Sequence, residues 1–121
     1  MTPSLQPLVV IYDGDCRFCR AFAQIARRVA RPPGIRLLPF DDPRAARILE
    51  VVPEEVRHMS VHAADSRGLA SATEAFRLIL TRLRGGRLLL ATGVHRVYPV
   101  VARNRSLIGR FVPDLPRPPV A

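Results

Sequence analysis

The sequence predicts an α/β fold with a β-α-β-α-β-β-α core followed by a C-terminal helical extension. Apolar runs of strand length alternate with segments of helical periodicity in the first two thirds of the chain, and turns rich in Gly, Pro or Asp separate them. A further apolar and helical pattern follows Gly86. With 121 residues, the chain is long enough for one domain with its own core.

The first three elements predict a right-handed parallel βαβ unit. Leu8–Tyr12 and Ile35–Pro39 are apolar runs typical of buried strands, and the 17–30 segment between them has helical periodicity. The apolar residues expected to face the core are Phe18, Phe22, Ile25, Ala26 and Val29. The residues expected on the polar side are Arg17, Arg20, Gln24, Arg27, Arg28 and Arg31.

The middle of the chain predicts a short helix and then a hairpin. Asp42 followed by Pro43 is typical of a helix start, and this helix is expected to run through Leu49. Residues 60–64 and 69–70 are strand candidates on either side of the turn at 65–68.

A third helix is predicted after the hairpin. Ser71 with Glu74 three residues later has the spacing of a capping box, in which each side chain bonds the other residue's backbone N–H. The expected apolar face of this helix consists of Ala72, Ala75, Phe76, Ile79, Leu80 and Leu83, and Gly85-Gly86 is expected to end it.

The C-terminal part is expected to differ in charge and regularity. We expect residues 1–85 to form the core and residues 86–121 to form a basic helical extension with a proline-rich tail, packed as part of the same domain. Val94, Val97, Tyr98, Val101 and Ala102 have helical spacing, and residues 113–121 predict an irregular tail.

All 19 basic residues are Arg, and the net charge is +9. Residues 82–121 contain 8 Arg against Asp114 alone, so this segment is a candidate for weak contact with an anionic surface. The alternative is a solvated basic face. Tyr98 and Phe111 are the segment's aromatic residues and no groove-reading motif is present, so we expect no specific nucleic-acid partner.

Cys16 and Cys19 are the only cysteines, and they lie where the first strand gives way to the first helix. A thiol at a helix N-terminus is stabilised as a thiolate, and a second thiol one turn later can close a disulfide, which favours dithiol redox chemistry. Cys-x-x-Cys is also half of a zinc site, and the other ligands would have to come from His58, His62 and His95. The only paired spacing among them, His58-x-x-x-His62, suits a helix, but His62 is expected in a strand, so no metal is expected. Two inert core thiols are a further alternative.

Nothing in the sequence has the length and apolarity of a membrane span, and the first seven residues lack the pattern of a secretory signal. Together with a count of two cysteines, this favours a cytoplasmic location.

The segment from Tyr12 to Cys19 resembles the Asp-x-x-Cys-x-x-Cys motif of the DCC family of predicted thiol-disulfide oxidoreductases, with the named residues at Asp13, Cys16 and Cys19. The 98–105 stretch, Tyr-Pro-Val-Val-Ala-Arg-Asn-Arg, with Gly109-Arg110, is similar to that family's C-terminal block. The resemblance implies a thioredoxin-like fold and disulfide exchange, without a cofactor. The implied partner is a disulfide-containing protein or a glutathione-like thiol. A non-catalytic binding module that uses the basic segment remains an alternative.

The expected roles follow from the chemistry of exchange. Cys16 is the expected nucleophile and Cys19 the resolving thiol, while Asp13 is either the proton acceptor for Cys19 or a turn residue. Arg17 and Arg20 are expected to favour the Cys16 thiolate, and Asp13 and Asp15 to oppose it. The candidates for substrate binding are Arg17 and Phe18 within the motif, and Met59 and Ser60, which occupy the place where thioredoxin-like redox proteins usually have a cis-proline.

Overall fold

The computed structural model describes residues 6–119. The strands are β1 (Leu8–Tyr12), β2 (Ile35–Pro39), β3 (His62–Asp65) and β4 (Gly68–Ser71). The α-helices are α1 (Arg17–Val29), α2 (Pro43–Ile48), α3 (Ala72–Thr81), α4 (Gly86–Ala91), α5 (Tyr98–Arg103) and α6 (Arg105–Gly109). Short 3-10 turns cover Leu49–Val51, Glu54–Val56 and Val94–Val97. The predicted order β-α-β-α-β-β-α is confirmed.

The four strands form one mixed sheet in the order β2-β1-β3-β4. β1 and β2 are parallel, with Leu8 opposite Ile35 and Tyr12 opposite Pro39, so α1 is the crossover of the predicted βαβ unit. β3 is antiparallel to both β1 and β4. This arrangement confirms the thioredoxin-like fold, and it places the loop between β1 and α1 at the end of a central strand.

The core has two layers because successive side chains of a strand point to opposite faces of the sheet. On one face, Leu8, Val10 and Tyr12 of β1 pack with α1 and α3. On the other face, Ile11 packs with Leu38 and with residues of α2 and the turn after it. The sheet is therefore covered by helices on both sides.

Three residues of α1 lie on the side opposite to the predicted one. Ile25 and Val29, expected in the core, are 56% and 37% exposed, and Gln24, expected to face solvent, is buried. The Gln24 Nε2 donates to the Pro116 carbonyl at 3.0 Å. The C-terminal tail (residues 112–117) lies along this side of α1 and shields it from water, a contact that helical periodicity does not reveal.

The predicted capping box at Ser71 and Glu74 is wrong. Ser71 is the residue before α3, but its side chain caps no backbone N–H. Its hydroxyl instead bonds Nδ1 of buried His62 at 2.7 Å. Ser71 is also the last residue of β4, paired with His62, so its side chain points to the cross-strand partner rather than to the helix.

The C-terminal helices pack on the first part of the chain. α4 and α5 contact α3, and α6 contacts α1. Gly109 of α6 lies so close to α1 that a Cβ there would be 3.4 Å from the backbone nitrogen of Phe18. In α5, the Tyr98 ring stacks on Phe76 at 5.4 Å, and the Tyr98 hydroxyl accepts the Val61 N–H at 3.0 Å. These contacts set α6 beside the start of α1.

Residues 113–119 have no regular secondary structure, as predicted, while residues 120–121 of that segment lie outside the described residues. The first five residues of the N-terminal segment considered above also lie outside the described residues. Within residues 6–119, no helix has both the length and the apolarity that a bilayer crossing requires.

Candidate active site

Cys16 sits at the N-cap of α1, at the end of the turn that follows β1. The turn is closed by two short-range bonds: the Asp13 Oδ1 accepts the Asp15 N–H at 3.0 Å, and the Asp13 carbonyl accepts the Cys16 N–H at 3.3 Å. Beyond the turn, the Cys16 Sγ accepts the Cys19 N–H at 3.3 Å. The thiol thus satisfies one of the free N–H groups of the first helical turn, which a thiolate does better than a neutral thiol.

The two thiols share a hydrogen bond that separates their pKa values. Hydrogen bonds from the Cys19 thiol, the larger contribution, and from the Cys19 backbone N–H stabilise a negative charge on the Cys16 sulfur. They lower the pKa of Cys16 from 9.0 to about 6, although burial and Asp13 oppose the shift. The same hydrogen bond, with burial and the charge on Cys16, raises the pKa of Cys19. At neutral pH Cys16 is therefore mainly a thiolate and Cys19 keeps its proton. Both cysteines are free and half-buried.

Arg105 is the cation at this dithiol. Its Nη1 lies 3.8 Å from the Cys19 Sγ, and its Nη2 lies 3.3 Å from the Asp13 Oδ2 and 3.5 Å from the His58 carbonyl oxygen. The guanidinium lowers the pKa of both thiols. Arg105 was not among the site residues predicted from the sequence. The available signal was its place in the C-terminal block that resembles the DCC family.

Arg17 and Arg20 were expected to favour the Cys16 thiolate, but neither lowers the Cys16 pKa. Arg105 is the cation that lowers it. Arg17 Nε donates to the Val112 carbonyl and Arg20 Nε to the Leu115 carbonyl, both at 2.8 Å. The C-terminal tail therefore engages both side chains.

Arg117 fastens this tail to the turn before Cys16. It donates from Nε to the Gly14 carbonyl at 3.2 Å and pairs with Asp15 at 2.8 Å and Asp41 at 2.9 Å. Asp13 opposes the Cys16 thiolate as expected, whereas Asp15 is not among the groups that shift the Cys16 pKa. Asp15 is instead held by Arg117.

Asp13 is half-buried and uses both carboxylate oxygens. Oδ1 accepts the Asp15 N–H within the turn, and Oδ2 pairs with Arg105. The structural role considered from the sequence is thus visible in the turn. Oδ2 and the Cys19 sulfur contact the same guanidinium, which places the carboxylate near the Cys19 thiol.

Two cavities meet at the dithiol. An apolar cavity of about 270 Å³ extends from Cys19 between α1, α3 and the C-terminal helices. Phe18 lines it, and so does Val61, rather than the predicted Met59 or Ser60. Met59 is 64% exposed. The buried Tyr12 hydroxyl, with no hydrogen-bond partner among residues 6–119, belongs to a residue of the cavity wall.

A polar cleft of about 310 Å³ opens at Cys16 on the other side. The predicted residue Arg17 lines this cleft. Asp13 and Arg105 line both cavities, so their ion pair lies between the apolar cavity and the polar cleft.

No group of three His, Cys, Asp or Glu side chains within residues 6–119 is placed to hold a metal ion. His62, one of the zinc candidates, is buried in β3 between Ser71 and the Arg57 carbonyl. Its two ring nitrogens are thus both engaged within the protein.

Comparison with known proteins agrees with the resemblance noted in the sequence. Searches of the curated proteins and of the solved structures gave no match. The family model described as DCC1-like thiol-disulfide oxidoreductase matches residues 10–111, which include the turn, both cysteines and Arg105. The chain therefore belongs to the DCC1-like thiol-disulfide oxidoreductase family.

Proposed function

We propose that the protein exchanges its Cys16–Cys19 dithiol with the disulfide of a partner, with Cys16 as the nucleophile. The observation that carries the proposal is the hydrogen bonding of the Cys16 sulfur, which accepts the Cys19 N–H at 3.3 Å and has its pKa lowered to about 6. The thiolate is the nucleophilic form of cysteine, and at pH 7 this form of Cys16 prevails.

In the first step, the Cys16 thiolate attacks one sulfur of the partner disulfide. A Cys16–sulfur bond forms, the partner's disulfide bond breaks, and the other partner sulfur leaves as a thiolate. In the second step, Cys19 loses its proton and attacks the Cys16 sulfur, forming the Cys16–Cys19 disulfide and releasing the second partner thiolate. The partner gains two electrons and the protein loses two. With a reducing thiol as partner the same steps run backwards.

The second step needs a proton acceptor because the pKa of Cys19 is raised. In this proposal Asp13 accepts that proton, as its Oδ2 and the Cys19 sulfur both contact the Arg105 guanidinium. Arg105 stabilises negative charge on either sulfur while the electrons move between them.

The proposed partner is a disulfide-containing protein or a glutathione-like thiol, and the proposed setting is the reducing cytoplasm. Phe18, Met59 and Ser60 remain candidates for contact with a protein partner. Weak contact of the Arg-rich C-terminal segment with an anionic surface is a separate part of the proposal, and salt-dependent binding to anionic vesicles tests it. No specific nucleic-acid partner is proposed.

The test is a disulfide reduction assay on the full chain with Cys16→Ser and Cys19→Ser. We expect Cys16→Ser to abolish turnover, and Cys19→Ser to accumulate a mixed disulfide that mass spectrometry detects and dithiothreitol releases. Wild-type activity in Cys16→Ser would refute the assignment of the nucleophile. Ser66→Ala serves as a control, because this exposed residue of the β3–β4 turn lies outside both cavities and the variant removes only a hydroxyl.

A further inference from the structure

The polar cleft beside Cys16 has a composition that the exchange reaction alone does not explain. It lies between the start of α1 and α6, and Gly109 is one of the residues that line it. Besides Cys16, its charged and polar side chains are Asp13, Asp15, Arg17, Arg105, Ser106 and Arg110. The cleft that contains Cys16 is thus lined by three arginines, Arg17, Arg105 and Arg110.

The two carboxylates of the cleft are already paired. Asp13 lies 3.3 Å from Arg105, and Asp15 lies 2.8 Å from Arg117 at the end of the tail. Arg17 uses its Nε for the Val112 carbonyl, and within residues 6–119 neither Arg17 nor Arg110 forms an ion pair. The cleft wall therefore has two cationic side chains without a carboxylate partner among residues 6–119.

The shape of the cleft favours a small ligand. Its volume of about 310 Å³ is at the lower end of the range typical for small-molecule sites. One wall consists of the turn before α1 and Arg17 at the start of this helix, and the other consists of α6 with Arg110, the residue after it. A guanidinium binds a carboxylate with two parallel N–H bonds, so Arg17 and Arg110 match a ligand with carboxylates near its sulfur.

We propose that the preferred substrate of this site is a low-molecular-weight disulfide that carries carboxylates, of the chemical class of glutathione disulfide, bound through Arg17 and Arg110. This inference rests on the proposed function and names its substrate class. The Cys16 thiolate attacks one sulfur, a Cys16–glutathionyl bond forms, and one glutathione thiolate leaves. Cys19 then passes its proton to Asp13 and attacks the Cys16 sulfur. The Cys16–glutathionyl bond breaks, the Cys16–Cys19 disulfide forms and the second glutathione thiolate leaves, so two electrons pass from the dithiol to the substrate disulfide.

The test compares three disulfides that differ in charge: glutathione disulfide with its carboxylates, neutral 2-hydroxyethyl disulfide, and cationic cystamine. In single-turnover reactions of the reduced protein, we expect the second-order rate constant of dithiol oxidation to fall in that order, and the difference between the first and last to shrink as salt rises. Arg110→Gln should lower the ratio of this rate constant for glutathione disulfide to that for 2-hydroxyethyl disulfide by about two- to fivefold, the range expected for one exposed ion pair. Arg110→Lys should recover part of it.

The control is Arg103→Gln, which removes the same charge from an exposed residue outside the cleft and should leave the ratio unchanged. An equal loss in Arg103→Gln and Arg110→Gln would overturn the inference, because net charge rather than the cleft would then set the preference. A preference for acidic peptide disulfides longer than glutathione would overturn the small-ligand part. If 2-hydroxyethyl disulfide is reduced but charge has no effect, the inference fails and the proposed function stands. If none of the three is reduced but a protein disulfide is, the inference fails and the proposed function stands. If the protein disulfide is not reduced either, the proposed function fails as well.

Discussion

Arg105 Nη1 lies 3.8 Å from the Cys19 Sγ, although 86 positions separate the two residues. The contact exists because α6 packs beside the start of α1, with Gly109 facing Phe18. The same guanidinium meets Asp13 at 3.3 Å. A side chain from the C-terminal extension thus completes the charge environment of a motif formed near the N-terminus.

The thiolate of Cys16 should form with a pKa of about 6 in the reduced protein. Alkylation by iodoacetamide, followed by mass spectrometry at a series of pH values, measures it: the Cys16 rate should rise through pH 6 and level off above. Cys19→Ala should raise this pKa, because it removes the largest stabilising hydrogen bond. Arg105→Gln should raise it less, and Arg103→Gln should leave it unchanged. A wild-type midpoint near the ordinary value of 9.0 would contradict the assignment.

Asp13→Asn should affect the two steps of exchange in opposite directions. The carboxylate raises the pKa of Cys16, so its loss should lower that pKa and leave more thiolate at acidic pH. If Asp13 accepts the Cys19 proton, the mixed disulfide should resolve about 100-fold more slowly, the size typical of general base catalysis. Stopped-flow mixing with a disulfide separates the two rates. Unchanged resolution would assign Asp13 to the turn alone.

Arg117→Gln should free the C-terminal tail from the turn before Cys16, because it removes the ion pairs with Asp15 and Asp41. Hydrogen exchange of residues 112–117 should become faster, while the Cys16 pKa should stay the same because Arg117 does not contribute to it. Arg84→Gln is the control, an exposed arginine remote from the tail in sequence. Equal tail exchange in both variants would show that Arg117 does not hold the tail.

His62 should make stability fall at mildly acidic pH. Its Nε2 donates to the Arg57 carbonyl and its Nδ1 accepts from the Ser71 hydroxyl, both at 2.7 Å, in a ring that is 1% exposed. Burial lowers the pKa of His62 below 6.5, so the unfolded chain binds the proton more readily than the folded protein. The stabilisation is complete above about pH 6.5 and is lost as the pH falls towards the folded pKa.

Urea unfolding of wild type and His62→Leu across this pH range tests the prediction. The variant should lose about 1–3 kcal/mol at pH 7.5, because the Arg57 carbonyl and the Ser71 hydroxyl lose a buried partner. It should also lose part of the pH dependence. The same pH slope in both proteins would assign the titration to other groups.

Gly86→Ala should be strongly destabilising. A Cβ at this buried position would lie 1.6 Å from the Leu80 carbonyl oxygen, so the backbone between α3 and α4 must shift. We expect a loss of about 3 kcal/mol or more in thermal or urea unfolding. Gly109→Ala is the matched comparison, since its nearest contact is 3.4 Å and its cost should be smaller. Similar stability of the two variants would mean that the α3–α4 connection relaxes freely.

The elements that sequence patterns predicted well are those whose signals are local. Leu8–Tyr12 and Ile35–Pro39 are strands as predicted, because an apolar run of five residues between turns has the length and composition of a buried strand. Asp42 caps α2 through the Arg44 N–H at 2.8 Å, as its place before Pro43 indicated. Ser71 shows the limit of such signals. Its spacing to Glu74 favoured a capping box, but the Ser71 hydroxyl forms a hydrogen bond with its cross-strand neighbour His62 instead.

By itself, the sequence determined the α/β fold class, the order of the core elements and the placement of Cys16 and Cys19 at the start of α1. These depend on periodicity, turn residues and a three-residue spacing, all of which act between near neighbours. The tertiary structure decided the rest of the site. Arg105, rather than Arg17 or Arg20, became the cation at the thiols. Such contacts join distant parts of the chain, and only the packing of α6 and the tail against α1 fixes which side chains meet.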